Sequence, residues 1–179
     1  MLQSLETGRL LLRPFTKEDA EGLFAYANNP NVGPHAGWKP HADVQESKTV
    51  LEEIFLINQV WAIIDKHSGR LIGSIGFEPD KRRPGIASKE LGYSLAEEFW
   101  GKGIMTEAAK AVITYAFEEM NLDIIGICTG PINERSASVI KKCGFKYEGT
   151  ERYCYKIYDG TVRDSRCFSL FKTEWEALR

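Results

Sequence analysis

The chain has 179 residues, room for one compact domain with its own core. Hydrophobic residues at 43% and charged residues at 27% exclude a disordered tail or a collagen-like repeat. Lys and Arg number 23 against 25 Asp and Glu, a formal charge of −2, so no bulk basic field exists to gather nucleic acid or an anionic membrane. Any anionic ligand has to be held locally.

Taken in chain order, Arg9 to Pro14 reads as a first strand, and Thr16 is the expected N-cap of a helix running to about Ala27. Residues 28–43 mix Asn, Pro, Gly and His with few aliphatics, the composition of a long irregular loop. A helix is predicted from about Val44 to Asn58. Val60 to Asp65 and Arg70 to Phe77 form a hairpin across Lys66-His67-Ser68-Gly69. Lys81-Arg82-Arg83 falls in a polar connection and reads as a solvated loop.

Ser88 to Leu95 has strand character and leads through Gly101-Lys102-Gly103 into a helix. Its apolar residues Met105, Ala108, Ala109, Val112, Ile113, Ala116, Phe117 and Met120 recur at three- and four-residue spacing, so they share one face. Ile124 to Thr129 is a short apolar strand. Asn133 caps a helix through Lys142 that Gly144 ends, and strands Phe145 to Tyr158 and Thr161 to Lys172 close the chain around Asp159-Gly160. No repeat or linker divides these elements, which predicts a single domain over residues 1–179 of the α+β class with a mixed sheet.

Cys128, Cys143, Cys154 and Cys167 show no C-x-x-C and no paired histidines, so no metal site is expected. Cys128 and Cys143 suit packing better than nucleophilic chemistry. Residues 1–7 carry neither a basic segment nor an apolar run, and no membrane-length apolar stretch follows; a cytoplasmic location without membrane or nucleic-acid partners is expected.

Strand, paired glycines, then helix start is the local physics of an anion site. Glycines allow the sharp turn, and the free N–H groups of the first helical turn face negative oxygens. Thr106 occupies the last glycine position of G-x-G-x-x-G, and the P-loop pattern is absent, which disfavours a dinucleotide or P-loop nucleotide.

Tyr93-Ser94-Leu95, Trp100 to Ala108, Asn133-Glu134-Arg135-Ser136 and Cys143-Gly144-Phe145 together resemble the acetyl-coenzyme A signature of GNAT N-acetyltransferases. Thr7 to Phe15 and Glu90-Leu91-Gly92-Tyr93 are similar to the branch holding the ribosomal-protein N-terminal acetyltransferases of the Rim type. The resemblance implies a mostly antiparallel sheet flanked by helices, with the strands ending at Leu95 and Thr129 parallel and splayed.

It further implies an acetyl-CoA cosubstrate whose pantetheine pairs with Tyr93, Ser94 and Leu95. The pyrophosphate would lie on Gly101, Lys102, Gly103, Ile104, Met105 and Thr106, with Asn133 and Ser136 near the thiol. His35, Trp38 and His41 would line the acceptor wall. Trp100 replaces the pattern's leading Gln or Arg and Met105 its last small residue, changes that leave the backbone donors in place. Ile140 stands where many relatives carry a proton-donating tyrosine, which leaves Ser136 as the nearest acid by sequence. Glu90, sharing a strand face with Gly92 and Ser94, is the candidate base.

The expected reaction is acetyl transfer to a primary amine, a protein N-terminus or a small molecule, by direct attack in a ternary complex. The alternative is a silent acyl-CoA-binding sensor. The two long C-terminal strands would also serve pairing in a homodimer.

Overall fold

A computed structural model describes residues 2–179 of the chain. Met1, the first residue of the expected domain and of the segment screened for a leader, lies outside the described residues. Strands β1 (Leu5–Glu6), β2 (Leu10–Pro14), β3 (Gln59–Asp65), β4 (Leu71–Pro79) and β5 (Ser88–Leu95) make one half of a sheet. The other half holds β6 (Ile124–Thr129), β7 (Lys146–Lys156) and β8 (Val162–Phe171). All eight form one sheet in the order β1-β2-β3-β4-β5-β6-β8-β7, and β5–β6 is its parallel pair. The mixed, mostly antiparallel sheet is the architecture that the strand pattern and the resemblance imply.

The helices are α1 (Ala20–Ala27), α2 (Gly33–Ala36), α3 (Val44–Val50), α4 (Ile104–Glu118), α5 (Glu134–Lys142) and α6 (Lys172–Glu176). At the start of α1, the Asp19 carboxylate accepts from the Thr16 amide at 2.8 Å and from Arg13 Nη1 at 2.7 Å. A 3₁₀ turn over Lys17–Asp19 therefore precedes the α-helix proper. Ile104, Met105, Ala108, Ala109, Val112, Ile113, Ala116 and Phe117 of α4 are all buried, so the stripe packs as its spacing demands up to the helix end at Glu118, while Met120, the last expected member, lies beyond the helix and is half-buried.

Register assigns the helices to faces. Trp61, Ile75 and Tyr93 are cross-strand partners and share one face, and Trp61 meets Tyr115 of α4 edge-on at 5.4 Å. Tyr93 on that face also reaches α5. Ser94, one residue on, points the other way and lies 3.4 Å from the Tyr26 hydroxyl of α1. Thus α4 and α5 cover one face and α1 the opposite one, with α3 beside α1.

The fold departs from the sequence reading in four places. The loop over residues 28–43 contains α2, started by Pro34 and stopped by Gly37 at φ 92°, left-handed backbone that glycine adopts without strain. The helix expected through Asn58 widens after Val50 into a π-turn over Leu51–Phe55, where the Leu56 amide bonds the Leu51 carbonyl at 2.9 Å. The two-residue β1 and five-residue α6 are too short to show periodicity. They are fixed by tertiary contacts, α6 through Trp175 against Phe117 at 5.2 Å.

Candidate functional site

The β5–β6 ladder consists of Ser88↔Ile124, Lys89↔Ile125 and Glu90↔Gly126 and then stops. Leu91 to Leu95 and Ile127 to Thr129 continue without pairing to each other, which opens a V in the middle of the sheet. Unpaired strand backbone in a sheet interior is a set of donors and acceptors in search of a partner. Tyr93, Ser94 and Leu95 lie along one arm. The Leu95 carbonyl already accepts from Trp100 Nε1 at 2.8 Å, so the tryptophan fixes the turn out of β5.

Above that arm, Gly101 and Gly103 sit at φ 72° and 75°, left-handed conformations that exclude most side chains. A Cβ on Gly101 would meet nothing within 4 Å, so its surface is open to a ligand. The first turn of α4 leaves the amides of Ile104, Met105 and Thr106 without intrahelical acceptors, while Glu107 closes the first bond to the Gly103 carbonyl at 3.0 Å. Met105 is 5% exposed and points into the core, which leaves the cradle clear.

A latch holds this loop from the far edge of the sheet. Thr7 Oγ1 and the Arg9 amide donate to Glu107 Oε1 at 2.6 and 2.9 Å, Arg9 Nε donates to Glu107 Oε2 at 2.7 Å, and Arg9 Nη1 to the Lys102 carbonyl at 3.0 Å. Burial alone would raise the Glu107 pKa, yet the Thr7 and Arg9 contacts hold it below its ordinary value. Arg9 thereby neutralises the one carboxylate in the first turn of α4. The Thr7–Arg9 and Glu107 motifs, far apart in sequence, are two halves of one structure.

Glu90 lies at the apex of the V on the α1 face. Burial raises its carboxyl pKa, opposed by Arg82 with Nη2 at 3.3 Å, and Asp80 and Glu78 push it further up. Its register partner on β4 is Glu78. Arg82 and Arg83 correct the solvated-loop reading: their side chains are only 20% and 16% exposed. Arg83 Nη1 donates to the fully buried Asp80 at 2.7 Å and its Nη2 to Glu148 of β7, and Arg82 Nη1 contacts Cys128 Sγ at 2.6 Å. Cys128 also lies 3.0 Å from Cys167 Sγ across the β6–β8 ladder. Burial pushes its thiol far above the usual range, and that of Cys143 up to about 11, so neither is a ready nucleophile.

On the opposite face, Asn133 Oδ1 accepts from the Ser136 amide at 3.1 Å and caps α5, as its sequence position implies. Ser136 Oγ is 3.0 Å from the Tyr93 hydroxyl. Ile140 is 1% exposed and serves the core.

The three acceptor-wall candidates separate. His41 is 8% exposed, its Nδ1 2.7 Å from Ser47 Oγ, and it orders the α2–α3 connection instead of presenting to the cleft. Trp38 stacks 5.3 Å from the His41 ring and packs on the core. His35 alone is exposed; its Nε2 accepts from Arg135 Nη2 at 3.2 Å, and the Arg135 guanidinium lies 4.1 Å over the Trp100 ring. Burial, then Arg135 and Arg163, lower the His35 pKa. Arg135, not among the candidates read from the sequence, thus links His35 to Trp100, a contact that depends on the approach of residues far apart in the chain. Beside His35, Tyr155 of β7 donates to the Ala36 carbonyl at 3.1 Å. Among the described residues no three His, Cys, Asp or Glu side chains gather as metal ligands.

The paired-glycine cradle and the V fit an extended thiol cosubstrate with a pyrophosphate: backbone donors, open surface at Gly101 and a first-turn carboxylate already paired with Arg9. Comparison with known proteins agrees with this geometry. The sequence pattern of the acetyltransferase (GNAT) domain matches residues 9–146. The uncharacterized N-acetyltransferase YoaA of Bacillus subtilis is 31% identical over 177 residues, covering 96% of this chain and 98% of that protein. The ribosomal protein uS5-alanine N-acetyltransferase of Escherichia coli is 30% identical over 115 residues, 64% of this chain and 58% of that one. Among solved structures, the ribosomal-protein-S5-alanine acetyltransferase of Vibrio fischeri superposes with a TM-score of 0.80 at 26% identity, covering 97% of this chain and 98% of the other. The splayed strands, the glycine cradle and the matched pattern coincide in one place, and the chain belongs to the GNAT acetyltransferase family.

Proposed function

We propose that this protein moves an acetyl group from acetyl-CoA to a primary amine, either a protein N-terminus or a small-molecule amine, by direct attack in a ternary complex in the cytoplasm. The observation that carries the reading is the V where the β5–β6 pairing stops, with the helix-start cradle at one arm and Glu90 at its apex.

Gly101 to Thr106 would hold the pyrophosphate by backbone N–H groups, and the unpaired edge of Tyr93 to Leu95 the pantetheine amides. Bound acetyl-CoA supplies the acyl group as a thioester. Glu90 removes the proton of the incoming ammonium, directly or through water; α-amino groups titrate near ~7.7–8.0 and lysines near ~10.4, so a carboxylate with a raised pKa is a matched acceptor. Ser136 faces the thiol end from the opposite side of the sheet. The buried thiols at Cys128 and Cys143 favour direct attack over an acyl-cysteine route.

The test is CoA-thiol release across a panel of acceptors: peptides with free N-termini, including an N-terminal alanine from ribosomal protein uS5, alongside polyamines, amino sugars and amino acids. Release with at least one amine class is expected. Tight CoA binding with no release from any acceptor would replace the enzyme by an acyl-CoA sensor.

A further inference from the structure

Beyond Glu90 and Gly126 the arms of the V share no ladder pair, yet one β5 side chain reaches the helix that follows β6. Tyr93, three residues and so ~10 Å past the last pair, places its hydroxyl 3.0 Å from Ser136 Oγ and 3.3 Å from the Ser136 carbonyl. The hydrogen inventory limits what this contact can be. A phenol has one proton and a carbonyl only accepts, so two arrangements exist. In one, Tyr93 donates to the Ser136 carbonyl and Ser136 spends its proton on Tyr93. In the other, Tyr93 donates to Ser136 Oγ, and the serine proton is free to turn into the V. The Oγ contact is the shorter of the two. Burial raises the Tyr93 pKa well above that of an ordinary phenol, so its hydroxyl stays a donor at any working pH. Asn133 fixes the first turn of α5 through the Ser136 amide and leaves the serine side chain as the part that Tyr93 orients.

We propose that Tyr93 is a positioning residue for the leaving sulfur: it donates to Ser136 Oγ and so aims the Ser136 O–H at the thiol end of the cosubstrate. The inference rests on the acetyl-transfer reading. As the C–N bond forms and the C–S bond breaks, the electron pair passes to sulfur, and the second proton that the nitrogen sheds, the first having gone to Glu90, passes to water. Ser136 keeps its proton, because an alcohol is a far weaker acid than a thiol with a pKa of about 8.5. It stabilises the departing thiolate as a hydrogen-bond donor, and the sulfur takes its proton from water. The task of the tyrosine that many GNAT relatives carry where this chain has Ile140 is thereby met one turn earlier on the same helix, by a serine that a β5 side chain orients.

Tyr93→Phe removes one oxygen and keeps the ring, so it tests the contact without opening the core. Expected is a roughly tenfold lower kcat with an unchanged KM for acetyl-CoA. Ser136→Ala should show a comparable loss, and the double variant no more than Ser136→Ala alone. A readout independent of turnover is the thiol pKa of bound CoA, followed by thiolate ultraviolet absorbance as a difference titration. Donors to the thiolate lower it, so Tyr93→Phe should raise it by roughly half a unit or more. Wild-type kcat in Tyr93→Phe, additive losses in the double variant, or an unmoved thiol titration would each overturn the proposal. A loss confined to CoA affinity would also do so, by making Tyr93 a packing residue. These outcomes differ from failure of the underlying reading, in which the wild-type protein itself turns over no amine; that result removes both.

Discussion

The glycine cradle and the side chains proposed for the acceptor side are built from different materials. Gly101 to Thr106 is a backbone site whose donors lie within six consecutive residues, with two left-handed glycines, a helix start and a methionine whose phase turns it inward, and Arg9 latches it from outside. The proposed acceptor side would draw on side chains of α2, β5, β7 and α5 that are far apart in the sequence: His35, Glu90, Tyr155 and Arg135. A backbone site tolerates changes of side chain and fails when the backbone is bent. A side-chain site keeps its shape after substitution and loses a specific chemical task.

The largest expected effect breaks the cradle. Gly103→Val forces a β-branched residue to φ 75° and places its Cβ 3.6 Å from Arg9 Nη2, at the base of the latch. The acetyl-CoA KM should rise by on the order of 10²-fold, measured in steady state and by calorimetric CoA titration. An unchanged affinity in the folded variant would remove the cradle from the site.

Next, Glu90→Gln should lower kcat by roughly 10²-fold near neutral pH while leaving CoA affinity intact. The deficit should shrink as pH rises, because the amine then arrives deprotonated. Since burial raises the Glu90 pKa, wild-type activity should be lost as pH falls through a value above the ordinary ~4.3 of a glutamate. Arg82→Gln removes the opposing cation, so it should move that acidic limb to higher pH. A pH–rate profile of the three proteins checks both signs; full activity of Glu90→Gln at neutral pH would pass the role to water or His35.

The smallest effect on turnover is expected at His41. His41→Asn should keep acetyl transfer within about twofold and lose about 1–2 kcal/mol of stability with the Ser47 contact. Burial depresses the His41 pKa, so the folded protein prefers the neutral ring. This contribution is present above about pH 6.5 and is lost as pH falls toward the folded value. Between about pH 7 and pH 5.5, the wild type should therefore lose more melting temperature than the variant. A large drop in kcat would return His41 to the cleft.

The same contrast explains what the sequence revealed. The span from Ser88 through α4 was readable because its signals are local: strand alternation, paired glycines and a 3.6-residue stripe. Asn133 as a cap was readable for the same reason. Hidden were features whose cause lies elsewhere in the chain. Nothing near Arg9 announces Glu107, nothing near Arg135 announces Trp100, and the Lys81-Arg82-Arg83 run carries no sign that two of its three cations turn inward to Asp80, Cys128 and Glu148. His41 illustrates the opposite error. A histidine in an irregular loop looks available, and only its hydroxyl partner six residues later shows that it is part of the packing.

Those inward arginines also govern the mechanics of the sheet. Its two halves meet along a seam of only three backbone pairs, a weak join for an eight-stranded sheet. The loop after β4, which belongs to one half, stitches across that seam: Arg82 to Cys128 of β6 and Arg83 to Glu148 of β7, passing over Gly126, where a Cβ would stand 3.0 Å from Arg82 Nη2. Two guanidinium groups thus join the halves across a seam that the strands hold by three pairs. A change of charge in that loop would alter how far the halves part, and with it what the gap admits, without touching a residue that lines it.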